Sequence, residues 1–369
     1  MGFLQCRRIG LRIRRAKSRQ EMRAMQNFHR LVEDIQNNCD ITDARHARNM
    51  TMCIYLLEMR QYYRWEHDIP FSENPPRSEL GSWLVRREQY WDEVEDAPYA
   101  ELHIGEDVKN PFEIDDINHL LIPQGYIYSA GFGRFSKPHF FLGQLLKKEQ
   151  RDGYTILVSG CEYARDLIAP PAALQKRTIY LRREAVKRMI WEKFEEWRWS
   201  RRDKTQSGAF SCYDFEANPD AALETMTDAE SEAMILHELG EGQAGELLGQ
   251  AWEEMLSEVS SRRVEIIARA VRDHLADCLS TLPKLIENEA WCSLDFYFIN
   301  LEGMRRALFP AMLSACRSWR ESGQIEPLAE AARLGKAHWL ATARSMLEIF
   351  EREGASALEG WLSEEKLAL

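Results

Sequence analysis

A histidine and a glutamate lie one helical turn apart in the stretch ILHELGEGQAGELLG, residues 235–249. Residues at positions i and i+4 share one face of a helix, so His237 and Glu241 can direct their side chains to the same point. Imidazole and carboxylate groups are ligands that iron, manganese and zinc accept in proteins. The spacing therefore predicts metal chemistry, with Glu238 beside the pair as a candidate acid or base catalyst.

Two better-known motifs overlap this stretch, and both lack a necessary part. Gly240, Gly242 and Gly245 have the spacing of a dinucleotide fingerprint, which works where a strand turns into a helix. The preceding residues, DAESEAMILHEL, have helical spacing instead, so we expect these glycines inside a helix, with Gly240, Gly245 and Gly249 allowing another helix or an aromatic ring to pack close. A zinc-protease helix needs a second histidine where this chain has Glu241. We therefore expect neither a nucleotide site nor a protease.

Two further predicted helices carry inward polar residues of the same kinds. In RRVEIIARAVRDHLADCLSTLP, His274 and Asp277 lie three residues apart beside an apolar stripe. In MTMCIYLLEMRQYYRW, Glu58 interrupts an apolar run. Together with the first helix they predict one metal site, whose candidate ligands are Glu58, His237, Glu241, His274 and Asp277.

Helical bundles that bind iron or manganese hold the metal with inward carboxylates and histidines. The expected cofactor is therefore iron or manganese, and the expected reaction is an oxidation of a small-molecule substrate near Tyr55 or Tyr62. The usual Glu-x-x-His pattern is replaced here by His-x-x-x-Glu and His-x-x-Asp. A buried network of hydrogen bonds remains the alternative, in a non-catalytic helical scaffold that binds a partner protein. The Trp197-Arg198-Trp199 edge is then a candidate interface.

A second candidate site lies in the β-rich part of the chain. The segment GFGRFSKPHF places glycines beside Arg134 and Lys137 at a predicted hairpin turn, and Arg165 follows the next strand. Glycines with basic neighbours can form an anion-binding nest, so these three residues are candidates to bind a phosphate or carboxylate group. The alternative is a solvated hairpin.

The periodicity along the chain predicts a mainly α fold, a helical bundle with a small antiparallel β insertion, α+β overall. Four parts are expected. Residues 1–24 form a basic N-terminal extension that lacks the apolar core of a secretory signal. Residues 25–124 are helical with an irregular linker, residues 125–182 form the β insertion, and residues 183–369 form the C-terminal bundle. Met22 and Met25 are alternative starts of translation.

Composition restricts the function classes further. A formal charge of −11 argues against nucleic-acid binding, which needs a basic surface. No apolar run approaches the length that spans a bilayer. The eight cysteines form no Cys-x-x-Cys pair, which favours reduced thiols in a cytoplasmic protein.

Overall fold

A computed structural model of the chain describes residues 19–133, 137–168, 170–199, 207–362 and 367–369. The described residues form two compact units. The N-terminal unit comprises the residues up to 150 together with 155–171 and 180–192, and the C-terminal unit comprises 151–154, 172–179 and 193–369. Residues 1–18 of the expected N-terminal extension lie outside the described residues, whereas residues 21–24 belong to the first helix.

The N-terminal part of the chain begins with helices and continues into strands. The helices are α1 (Arg19–His46), α2 (Met52–Glu66), α3 (Arg77–Val94) and α4 (Ile114–Leu121), with 3-10 turns at Ala47–Asn49 and Ile122–Gln124. The strands are β1 (Leu102–Ile104), β2 (Asp107–Lys109), β3 (Tyr126–Phe132), β4 (Pro138–Arg151), β5 (Tyr154–Arg165), β6 (Ala172–Gln175) and β7 (Thr178–Arg182). Thr51 caps α2 by accepting a hydrogen bond from the backbone N–H of Ile54.

Strands β3 to β7 form one sheet in the order β3-β4-β5-β7-β6, and β1 pairs with β2 in a separate hairpin. The register of β3 and β4 is antiparallel, with Tyr126 opposite Gln144 and Phe132 opposite Pro138. Asp152 and Gly153 both adopt positive φ between β4 and β5, as the Arg-Asp-Gly turn signal predicts. The core beside this sheet contains Leu31, Val32, Ile35, Leu102, Ile117, Tyr128, Phe140 and Leu142, all buried.

The C-terminal part is helical. Its helices are α5 (Arg183–Trp199), α6 (Ser207–Ser211), α7 (Pro219–Leu248), α8 (Gln250–Glu258), α9 (Arg262–Ala276), a π-helical turn (Asp277–Thr281), α10 (Leu282–Glu287), α11 (Trp291–Ile299), α12 (Gly303–Leu308), α13 (Pro310–Ser322), α14 (Glu326–Glu353) and α15 (Ala355–Trp361). Asn218 caps α7, Pro219 occupies its first turn, and Gly249 ends it at φ 70°. A large core surrounds α9, including Val264, Ile267, Val271, Leu275, Phe309 and Trp339.

The protein is therefore α+β, as the sequence predicts, but its β content exceeds a small antiparallel insertion. The larger sheet is mixed, and β4 and β5 run for 14 and 12 residues. The β1–β2 hairpin lies in a stretch for which the sequence predicts irregular structure, and each of its strands has three residues. Gly105, at φ 68°, supplies its turn. The helical-bundle description and the four-part division remain predictions.

The cysteines differ in part from the prediction of reduced thiols. Cys212 and Cys292 are joined by a disulfide, although reduced thiols were expected. The two residues are 80 positions apart in sequence. Only the packing of α6 against α11 brings them together, so local spacing carries no sign of the pair. The free cysteines among the described residues are Cys39, Cys53, Cys161, Cys278 and Cys316.

None of the helices in the described ranges combines the length and the apolar character needed to cross a membrane.

The glycines of α7 offer a matched pair of substitutions. A Cβ on Gly240 would lie 2.3 Å from the carbonyl oxygen of Ala276, which confirms the predicted close packing there, whereas a Cβ on Gly245 or Gly249 would meet nothing within 4 Å, so the packing prediction is wrong for these two. We expect Gly240→Ala to lower the unfolding midpoint, because two backbones must separate. Gly245→Ala should raise the free energy of unfolding by about 0.5–1 kcal/mol through helix propensity. Urea unfolding measures both, and equal effects of the two substitutions would contradict the close approach.

Candidate functional site

The candidate site lies where α7 meets the end of α9. Because Gly240 has no side chain, the backbone of Ala276 can approach α7 closely at this level. Asp277 follows Ala276 and begins the π-helical turn, which ends just before Leu282 and Pro283. Such turns are frequent at functional sites. This close contact brings His237 of α7 within hydrogen-bond distance of Asp277.

Asp277 holds one nitrogen of the His237 ring. Its Oδ1 lies 2.8 Å from Nδ1 of His237. Its Oδ2 accepts a hydrogen bond of 2.8 Å from the Tyr297 hydroxyl and another from the Arg305 guanidinium. Asp277 is fully buried, and both of its oxygens are engaged. The carboxylate therefore fixes the ring orientation of His237.

The other ring nitrogen of His237 approaches the carboxylate of Glu241. Nε2 lies 3.7 Å from Oε1 of Glu241. His237, Glu241 and Asp273 each offer one ligand atom, and these three atoms all lie within 4.8 Å of one another. The side chains are 22%, 20% and 24% exposed, so an ion can reach them from solvent. This group, which we call the His237 cluster, has ligand types suited to a divalent metal ion.

Arginines hold the carboxylates of the His237 cluster in place. Nη2 of Arg272 donates to both oxygens of Glu241, at 3.2 and 3.3 Å. Nε of Arg305 lies 4.0 Å from Oδ2 of Asp273. Charged groups at these short distances strongly perturb each other's protonation.

Burial and neighbouring charges act against each other on the ionisable groups here. Burial lowers the pKa of His237, but Asp277 and Glu241 outweigh it and hold the pKa well above the usual range. Burial raises the pKa of Glu241, but His237 and Arg272 outweigh it and bring the pKa to about 2. Burial also raises the pKa of Asp277, but Arg305 and His237 outweigh it and hold the pKa below its usual range. The neighbouring carboxylates therefore favour the protonated, imidazolium form of His237.

Glu238 lies beside the cluster and has a different character. Its side chain is buried and accepts a hydrogen bond from the backbone of Leu174. Burial, together with the charge of Glu241, raises the pKa of Glu238 to about 7. A carboxyl group with this pKa can exchange a proton near neutral pH, as acid or base catalysis requires.

Two of the predicted ligands lie elsewhere. The ring of His274 is fully buried, stacks on Trp339 at 4.8 Å and places Nε2 2.8 Å from the carbonyl oxygen of Arg305. Burial and Arg305 lower the pKa of His274 to about 4, so the ring is neutral. Glu58 belongs to the N-terminal unit, where it accepts a hydrogen bond of 2.8 Å from Arg188.

Sequence reasoning gave Asp273 no ligand role, although it lies one turn before Asp277 on α9. The signal that points to it is the i, i+4 spacing of two carboxylates. Which of the two belongs to the His237 cluster depends on how the turn after Ala276 is wound.

The candidate anion-binding residues of the N-terminal unit already have protein partners. Nζ of Lys137 lies 3.2 Å from Oδ1 of Asp43, and burial raises the pKa of Asp43 to about 7. Arg165 is buried and donates to the carbonyl oxygens of Asp166 and Leu167, at 3.0 and 2.9 Å. Arg134 lies outside the described residues.

The same unit buries a bidentate ion pair. Nε and Nη2 of Arg182 donate to the two carboxylate oxygens of Glu162 at 2.7 and 2.8 Å. Both side chains are buried. Removing one partner of such a pair leaves an uncompensated buried charge and is strongly destabilising.

Comparisons with known proteins identify a family for each half of the chain. Residues 30–182 match the N-terminal domain of a family of unknown function (DUF6866), and residues 187–365 match the C-terminal domain of the same family. The search of curated proteins and the search of solved structures both returned no match. The His237 cluster falls within the C-terminal match.

Proposed function

We propose that this chain, which carries both domains of that family, binds one divalent iron or manganese ion and is an oxidoreductase-like enzyme. The ligands would be His237, Glu241 and Asp273 of the C-terminal unit. The orientation of His237 carries the proposal. Its Nδ1 is bonded to a buried carboxylate, its Nε2 lies 3.7 Å from Oε1 of Glu241, and the residue is one of three whose ligand atoms lie within 4.8 Å of one another.

Metal-binding histidines usually donate a hydrogen bond from their second ring nitrogen to a carboxylate, a carbonyl oxygen or water. Asp277 supports the proposal in this way, because both of its oxygens are already engaged by His237, Tyr297 and Arg305. We therefore assign Asp277 to orienting the imidazole, and not to binding the metal as the sequence indicated.

The ligand set favours the metals expected from the sequence. One imidazole and two carboxylates suit iron and manganese, and three protein ligands leave coordination positions for water and substrate. When bound, such an ion would supply oxidation chemistry. Glu238 would take up or release a proton near neutral pH, because its pKa is raised to about 7.

A non-catalytic scaffold is the second candidate function, and the charges of the site favour it. Three cations, His237, Arg272 and Arg305, face three carboxylates, Glu241, Asp273 and Asp277. This network could tie α7 to α9 without a metal. A partner protein would then dock elsewhere, and the 86% exposed Trp199 at the end of α5 is a candidate contact.

Metal analysis of the purified protein distinguishes the two functions. We expect about one equivalent of iron or manganese per chain, and its loss in His237→Ala. Asp277→Asn should weaken binding by about 10–100-fold, as expected for an orienting carboxylate. The wild-type protein could instead be metal-free and take up neither ion when dialysed against iron or manganese. That result would support the scaffold and contradict the metal centre.

The pH dependence of metal affinity gives a second prediction. The pKa of His237 is raised, so the metal must displace a proton from the ring at neutral pH. Apparent affinity for Mn²⁺ should therefore rise about tenfold per pH unit until the pH reaches that pKa. Calorimetric titrations at several pH values measure the slope. A flat profile from pH 6 to 8 would show that His237 loses no proton on binding.

A further inference from the structure

The N-terminal unit contains a cavity of about 430 Å³ that takes no part in the His237 cluster. The end of α1, the following 3-10 turn, the start of α2 and the C-terminal part of α3 form its walls. Ala44, Ala47, Met50 and Trp91 supply an apolar lining. Cavities of about 300–1,000 Å³ with apolar walls and a few polar groups are typical of small-molecule sites.

The carboxylates of Glu88 and Asp92 and the cation of Arg48 line the same cavity. Nη2 of Arg48 lies 2.8 Å from Oδ1 of Asp92, and Nη1 lies 3.6 Å from Glu95. The cation is thus held by two carboxylates. Glu88 accepts a hydrogen bond of 2.8 Å from the Tyr55 hydroxyl. The Tyr55 hydroxyl is neutral. It fixes the position of the Glu88 carboxylate without neutralising its negative charge.

Tyr55 also adds an aromatic ring to the lining of the cavity beside that charge. Burial and Glu88 raise the pKa of Tyr55, so the hydroxyl stays protonated and keeps donating. An aromatic face next to a carboxylate attracts an organic cation. Glu88 would repel an anionic ligand. Arg48 could attract such a ligand only by breaking its ion pairs with Asp92 and Glu95.

Apolar side chains continue beyond the cavity along the start of α2. Met52, which lines the cavity, is 69% exposed, and Ile54 and Leu57 are 51% and 58% exposed. Methionine adapts its shape to different apolar partners. The apolar body of a ligand can therefore extend from the cavity onto this surface.

We propose that this cavity binds a small amphipathic amine, with its ammonium group at Glu88 and Tyr55. The apolar body of the amine lies against Ala44, Ala47 and Trp91. This site is independent of the metal centre and gives the N-terminal unit a ligand-binding role.

Calorimetric titration of the full-length chain tests the site with three probes of equal length: octylamine, octanol and octanoate. We expect octylamine to bind at least tenfold more tightly than octanol, and octanoate to bind least. Glu88→Gln should reduce octylamine affinity to that of octanol and leave octanol affinity unchanged. Glu93 is an exposed carboxylate of the same helix that does not line the cavity, so Glu93→Gln should leave the affinities for all three probes unchanged.

A cavity-filling variant tests the location. Ala47→Leu should abolish binding of both octylamine and octanol, with its unfolding midpoint measured alongside. If that variant fails to fold, Glu88→Gln still decides the charge preference, because Glu88 is exposed. Octanoate binding as tightly as octylamine, octylamine affinity unaffected by Glu88→Gln, or no binding of octylamine would each overturn the proposal.

Discussion

Arg182→Met is expected to lower the free energy of unfolding by about 3 kcal/mol, at the lower end of the range for breaking a buried ion pair. The substitution leaves the buried carboxylate of Glu162 without its bidentate partner. Arg165, whose Nε lies 3.9 Å from Glu162, compensates only in part. Urea unfolding followed by circular dichroism measures the loss.

Two variants control for this result. Glu162→Gln/Arg182→Met removes both charges and should recover much of the lost stability, because residue 162 is then no longer a buried charge without its partner. Arg333→Met breaks an exposed pair with Glu330 and should leave the midpoint unchanged. If Arg182→Met were as stable as Arg333→Met, the buried charge pair would have no structural role.

Removal of the Cys212–Cys292 disulfide is expected to have the second large effect. In the chain-entropy account, a cross-link that closes a loop of this length stabilises a fold by about 4 kcal/mol. The link joins residues 80 positions apart in the C-terminal unit. The Cys212→Ser/Cys292→Ser variant should therefore unfold at lower urea concentration than wild type.

Reduction of the wild-type protein should reproduce this loss, and the double variant should not respond to the reductant. Cys53→Ser replaces an exposed free thiol and should leave stability unchanged. A double variant that unfolds at the same midpoint as the oxidised wild type would contradict the stabilising role of the link.

Local patterns in the sequence predicted much of the secondary structure. The helical spacing before Gly240 placed His237 inside a helix, and α7 runs through the whole stretch. The Arg-Asp-Gly signal located the turn between β4 and β5, because it needs only neighbouring residues. The β1–β2 hairpin was missed because its strands have three residues each, too few to show a periodicity.

Long-range pairing could not be predicted in the same way. Glu58 has an arginine partner 130 residues away, and Cys212 has a partner 80 residues away. Helical spacing correctly marked His274 as inward, but its stacking on Trp339 depends on how α14 packs against α9. A sequence pattern identifies which face of a helix is buried, and the fold decides what that face meets.

The candidate site illustrates both situations. The i, i+4 spacing predicted that His237 and Glu241 share a face, and they do, at 3.7 Å. The different positions of Asp273 and Asp277 depend on the π-helical turn after α9 and on the close contact at Gly240. The sequence marked Gly240 as a packing position, but no local signal specified its contact with Ala276 or the π-helical turn.

Titration with Mn²⁺, followed by the electron paramagnetic resonance signal of the free ion, tests the metal centre most directly. Glu241→Gln and Glu253→Gln form a matched pair, because both carboxylates contact Arg272 but only Glu241 belongs to the His237 cluster. The wild type and Glu253→Gln should each bind one equivalent of Mn²⁺, and Glu241→Gln should bind none at the same concentration. Absence of binding by the wild type, or equal binding by all three proteins, would contradict the proposed centre.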